Sequence, residues 1–183
     1  MPLPKRATAR LRWGRVSDPG ARYFITACTR GRAPVLTRGD TAPFLMATFA
    51  RLHRDGDAKI FAACLMPDHA HLLFALGHRL SIGRVQAKFK ALARASGRAS
   101  WQWQEDAFEH RLRAGESLEA YGFYVFMNPY RADLCPISER WPWWFCPDPT
   151  VFHFLSILNP DGTPQREWLT MAEQNEHLVN TRE

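Results

Sequence analysis

The sequence predicts an α+β fold: a ferredoxin-like split β-α-β core, an antiparallel sheet with helices on one face, followed by a further helix and a C-terminal extension. Three observations predict it. Strand-like apolar runs and helix-period segments follow the order strand, helix, strand, strand, helix, strand, helix, and the first six match the split β-α-β plan. A turn signal alone, Pro67-Asp68, separates the second and third strands. The 183 residues, 46% hydrophobic, suffice for one compact core with arms.

Residues 1–21 hold three prolines and no hydrophobic periodicity, and read as an extended arm. Arg22–Thr29 is rich in strand formers. Thr41 can cap a helix to about Arg54, with Phe44, Leu45, Thr48, Phe49 and Leu52 near helical spacing, and Asp55-Gly56-Asp57 ends it. Ala58–Met66 and His69–Leu76 are the next two strands. Ser81–Ser96 has helical period, with Arg84, Lys88, Lys90 and Arg94 on its polar side and Gly97 as its stop. Ala107–Arg113 is a fourth strand. Ser117 caps a helix to about Met127, which is expected to end near Asn128-Pro129 because proline disfavours helix at the residue before it. The chain after Cys135 is tryptophan- and proline-rich and becomes a polar tail beyond Asn159-Pro160-Asp161-Gly162.

Charge is concentrated at one end. Residues 1–38 carry nine basic residues and one acid, Asp18, so this segment holds +8 while the rest of the chain sums to −2. Such an arm suits a polyanion, although a solvated tail has the same composition. No apolar run approaches ~20 residues, so a membrane span is not expected. The N-terminus lacks a secretory core, and Cys28, Cys64, Cys135 and Cys146 show no Cys-x-x-Cys spacing, which together suggest a cytoplasmic protein with reduced thiols. No Walker or Gly-x-Gly-x-x-Gly motif appears, so no nucleotide cofactor is expected.

Two constellations carry chemistry. His69 and His71 stand two apart on a strand, facing one side about 7 Å apart at Cα, where two imidazoles can converge on one divalent ion. The same spacing also fits two ordinary half-buried histidines. Tyr124 and Asn128 share a helix face, so a phenol could attack while an amide oxygen completes a metal shell. A core tyrosine and a helix-ending asparagine would look the same, and spacing alone does not choose between Tyr121 and Tyr124.

Cys64-Leu-Met-Pro-Asp-His-Ala-His-Leu-Leu-Phe74 resembles the Met-Pro-Asn-His-x-His-Leu-Leu signature of REP-associated tyrosine transposases, HUH-type relatives of the small single-tyrosine insertion-sequence transposases. Trp103-Gln104 and Phe108-Glu-His110-Arg-Leu-Arg113 resemble that family's Trp-Gln and Phe-x-x-His-x-x-Arg stretch. Tyr124-Val-Phe-Met-Asn128-Pro129-Tyr-Arg131-Ala132 resembles its Tyr-Ile-x-x-Asn-Pro-x-x-Ala, and Arg140-Trp141-Pro142-Trp143 its Asp-Trp-Pro-x-Ser-Ser. The resemblance implies that His69, His71 and Asn128 are metal ligands and Tyr124 the nucleophile, with no role for Tyr121. It divides the chain into a basic arm (1–21), a catalytic domain (22–145) and a C-terminal extension (146–183). Three departures stand out: Asp133 where the family usually has glycine, Trp144-Phe145 for a serine pair, and Asp68 for the commoner asparagine.

The implied activity is metal-dependent cleavage and rejoining of DNA through a 5′-phosphotyrosine, with Mg²⁺ or Mn²⁺ as the ion. The implied partner is single-stranded or hairpin DNA of the REP palindrome type, bound by a monomer or a homodimer. Arg6, Arg10, Arg12, Arg15, Arg22, Lys88, Lys90 and Arg113 would meet its phosphates. Trp101, Trp103, Trp141, Trp143 and Trp144 offer stacking surfaces, at least half of them expected in the core. A hairpin-binding regulator without catalysis and a phosphoesterase using water are the alternatives.

Overall fold

The computed structural model describes residues 17–94 and 101–179. Its elements are β1 (Arg22–Cys28), α1 (Thr41–Arg54), β2 (Ala58–Leu65), β3 (His69–Leu76), α2 (Ile82–Arg94), β4 (Phe108–Arg111), α3 (Leu118–Arg131), β5 (Trp144–Phe145) and α4 (Trp168–Gln174). The strands form one antiparallel sheet in the order β4-β1-β3-β2-β5. With β3 between β1 and β2, this is the expected split β-α-β arrangement, extended at one edge by β5. Arg6, Arg10, Arg12 and Arg15 lie outside the described residues.

Two-residue alternation sorts β1 and β3 onto two faces. Tyr23, Ile25, Ala27, Ala70, Leu72 and Phe74 enter the core beneath α1 and α2, which contribute Leu45, Phe49, Leu52, Val85 and Phe89. Phe24 and Leu73 enter a second core on the opposite face, beneath α3. A bulge shifts the β2 register between Ile60 and Ala62, and both Phe61 and Ala62 then join the α3 side. His69 and His71 alternate with Ala70 and Leu72, so the pleat turns them toward α3.

Ser117 caps α3 as expected, its hydroxyl accepting from the Ala120 N–H. The expected stop at Asn128-Pro129 is wrong: α3 runs through Pro129 to Arg131. Packing overrides the local signal here. Pro129 and Tyr130 are both buried, and the Tyr130 hydroxyl accepts from the Trp141 N–H at 3.0 Å. The helix closes instead at Asp133, where the Asp133 N–H reaches Tyr130 O and the Leu134 N–H reaches Pro129 O, a Schellman closure. Asp133 has φ 53°, the left-handed conformation that explains why the family pattern places glycine there.

The described part of the C-terminal extension packs on the domain. Phe152, Phe154, Trp168 and Ala172 share the second core with α3. Gly122 permits this approach, because a Cβ there would lie 2.2 Å from the Phe152 ring. Trp144-Phe145, in place of the family's serine pair, forms β5 against β2, and Trp144 packs edge-on to Phe126 with centroids 5.2 Å apart.

Candidate active site

β3, β1 and α3 bring the two predicted constellations together. His69 Nε2 lies 3.1 Å from His71 Nε2, and the side-chain amide of Asn128 lies 3.0 Å from that same His71 atom. The outer ring nitrogens are held from behind: His71 Nδ1 by the Thr26 hydroxyl at 3.0 Å, His69 Nδ1 by an Asp68 carboxylate oxygen at 2.6 Å. A tautomer with the proton on Nδ1 satisfies both contacts and leaves the two Nε2 atoms, 3.1 Å apart, unprotonated. His71 is buried, and burial first, then the nearby charges of His69 and Arg32, hold its pKa well below the usual imidazole value. The ring is therefore neutral, the form that binds metal.

The donor set fits a divalent ion. The two Nε2 atoms, 3.1 Å apart, would both be able to reach one divalent ion. Asn128 would add its side-chain amide, which reaches the same His71 nitrogen at 3.0 Å. Among the described residues no group of three or more His, Cys, Asp or Glu could hold a metal; the ligand set expected from the sequence is two imidazoles and one amide.

Tyr124 sits one helical turn before Asn128. Its ring meets His71 edge-on with centroids 5.7 Å apart, and the Arg131 guanidinium carbon stands 5.5 Å from its centroid. Tyr121 is placed otherwise: it is fully buried, its ring stacks on His110 at 5.8 Å, and its hydroxyl donates to Glu116 at 3.1 Å.

Of the predicted basic residues, Arg22, Lys88, Lys90 and Arg113 lie within the described part of the chain. Lys88 pairs with Asp55 and Asp57, and Lys90 donates to the carbonyls of Gln104 and Glu105. Both sit on α2, across the sheet from the histidines. Arg22 and Arg113 are exposed, and Arg22 lies six residues along β1 from Cys28, which pairs with His69, about 20 Å away at the usual strand rise. The five proposed stacking tryptophans are all buried or half-buried: Trp103 lies within the α1/α2 core with Trp101 and Trp143 against it, and Trp141 and Trp144 pack on the α3 side.

Sequence reading missed three contributors. Thr26 faces His71 only through the β1–β3 register. Arg131 lies seven residues after Tyr124 on the same helix face, but the helix was expected to end before it. Asp68 was noted as a departure without a role, and its carboxylate orients His69.

The family model described as Transposase IS200 like matches residues 19–116. The chain belongs to the IS200-like transposase family. The matched span holds β1 to β4 and both histidines, and ends before Tyr124 and Asn128. A protein of Haemophilus influenzae (strain ATCC 51907 / DSM 11121 / KW20 / Rd), provisionally described as a REP-associated tyrosine transposase, is 26% identical over 97 residues, 45% of this chain and 55% of that protein. The similarity thus spans about half the length of that curated relative. A solved structure of a REP-associated tyrosine transposase bound to a REP hairpin matches the fold with TM-score 0.61 at 20% identity, over 73% of this chain and 81% of that one. Among the described residues, no helix is long and apolar enough to cross a membrane.

Proposed function

We propose that this member of the IS200-like family is a metal-dependent transposase that binds hairpin-forming, REP-like single-stranded DNA and cleaves and rejoins it through Tyr124. One observation carries the reading: Tyr124, His69, His71 and Asn128, predicted from separate segments, converge at the contact of β3 with α3.

His69, His71 and Asn128 would hold Mg²⁺ or Mn²⁺, which supplies charge withdrawal and orientation at the scissile phosphate. Tyr124 then needs only to be aimed, and its contacts with His71 and Arg131 fix the ring. Its phenolic oxygen attacks phosphorus, the bond from phosphorus to the 3′ oxygen breaks, and the phenolic proton ends on the departing 3′ hydroxyl. The 5′-phosphotyrosine keeps the energy of the phosphodiester, so a new 3′ hydroxyl can reverse the step at another junction without a nucleotide cofactor. Backbone phosphates would be met by the basic arm and the exposed Arg22 and Arg113, an affinity that weakens with salt. Lys88 and Lys90 already serve acceptors within the protein, so they add less. The test is a denaturation-resistant protein–DNA adduct formed with a hairpin carrying a single-stranded flank, which a hairpin-binding regulator or a water-using phosphoesterase would not give.

A further inference from the structure

The first half of α3 and residues 153–178 enclose a groove of about 360 Å³, with Tyr124 as part of its wall. Phe123, Phe154 and Trp168 line its interior. Four large apolar side chains stand exposed among the described residues, Leu134, Ile157, Met171 and Leu178, and the last three rim this groove at 42–49% exposure. Exposed apolar surface is thus collected at one place, beside the candidate nucleophile.

Among the described residues no lysine or arginine lines the groove, and the one carboxylate that does, Glu119, is engaged by the backbone N–H groups of His153 and Phe154 at 3.0 and 2.9 Å. A phosphate finds no cation among these lining residues. A nucleobase does fit: its faces are apolar and its edge polar, and the groove pairs apolar walls with Ser117, His153 and Asn175. In a 5′-phosphotyrosine the nearest base belongs to the nucleotide joined to Tyr124, one nucleotide from the phenolic oxygen.

We propose that this groove, built by the C-terminal extension on α3, binds the base of the nucleotide on the 3′ side of the scissile phosphate. The inference rests on the strand-transfer reading above. It gives the extension a role: it completes a base subsite next to the nucleophile and so selects which phosphate Tyr124 attacks.

The experiment uses the full chain with Mn²⁺ and three hairpins whose cleavage position has been mapped. One is intact, one is abasic at the nucleotide just 3′ of the cleaved bond, and one is abasic four nucleotides further on. The rate of adduct formation below saturation should fall about tenfold for the first abasic hairpin, the usual worth of one stacked base, and stay unchanged for the second. Met171→Glu, at an exposed rim position outside the ligand set, should lower the rate on intact DNA to a similar degree and add little on the first abasic hairpin. Leu178→Glu should behave alike, and both variants should melt as wild type. Equal rates on intact and abasic DNA overturn the base subsite, as do losses that multiply. A drop in sedimentation mass with Met171→Glu also overturns it and assigns the groove to a second copy of the chain. Absence of adduct from the intact hairpin is a different failure, that of the strand-transfer reading, and the subsite falls with it.

Discussion

The Asn128 amide and His71 Nε2 stand 3.0 Å apart across the contact of α3 with β3. The helix that carries Tyr124 thus touches the sheet, beside its apolar core, with the group that would complete the metal shell. In the proposed reading this contact links the nucleophile to the ion, and any change that reorients His71 or His69 should disturb both.

Asp68 and Thr26 hold the outer nitrogens of those rings. Asp68→Ala and Thr26→Val should each weaken Mn²⁺ binding about 10- to 100-fold, the usual worth of a group behind a metal ligand, with little loss of fold. Asp68→Asn should stay near wild type, since an amide oxygen still accepts from His69 Nδ1 and asparagine is the commoner family residue. Titration calorimetry checks this, and equal affinity for Asp68→Ala and wild type would remove Asp68 from the site.

Glu116 ties the start of α3 to β4. Burial pushes its pKa up, but the Arg113 N–H, His110 and the Tyr121 hydroxyl together outweigh this and hold it below the ordinary 4.5. A carboxylate with a depressed folded pKa contributes stability above its unfolded pKa and loses it as pH falls through the folded value. Glu116→Gln should therefore cost about 1–3 kcal/mol at pH 7, and the gap to wild type should close as pH drops below 4.5. Urea melts at pH 7 and pH 3.5 measure it. A gap that persists unchanged at the lower pH would contradict the ionised network.

Asp133 takes a left-handed conformation at the close of α3. Asp133→Gly removes Cβ strain worth roughly 1 kcal/mol, partly offset by the greater freedom of glycine in the unfolded chain. A net rise in thermal midpoint is expected, without change in metal affinity. A fall in midpoint would mean that the aspartate side chain contributes more than its backbone strain costs.

Much of this architecture is local and was legible. Apolar runs marked β2 and β3, Ser117 marked the start of α3, and strand and helix periods put His69 with His71 and Tyr124 with Asn128. What was hidden depends on contacts between distant segments. Pro129 signals a stop, yet burial of Tyr130 and its bond to Trp141 carry α3 onward. Phe152, Phe154 and Trp168 lack periodicity, and their docking depends on Gly122 leaving room for a ring. Thr26 has no motif, and only the pairing of β1 with β3 sets it opposite His71.

The most direct measurement is adduct formation by single tyrosine variants. Wild type, Tyr124→Phe, Tyr121→Phe and Asn128→Ala are each incubated with a flanked hairpin and Mg²⁺ or Mn²⁺, then denatured and resolved by size. Tyr124→Phe removes one hydroxyl from a half-buried ring, so hairpin binding should survive and the adduct should vanish. Tyr121→Phe loses its bond to Glu116, at about 1 kcal/mol of stability, and should still form the adduct. Asn128→Ala should form it more slowly, because His69 and His71 remain. An adduct that persists in Tyr124→Phe and disappears in Tyr121→Phe would assign the attack to Tyr121 instead, and cleavage that continues without adduct in every variant would make water the nucleophile.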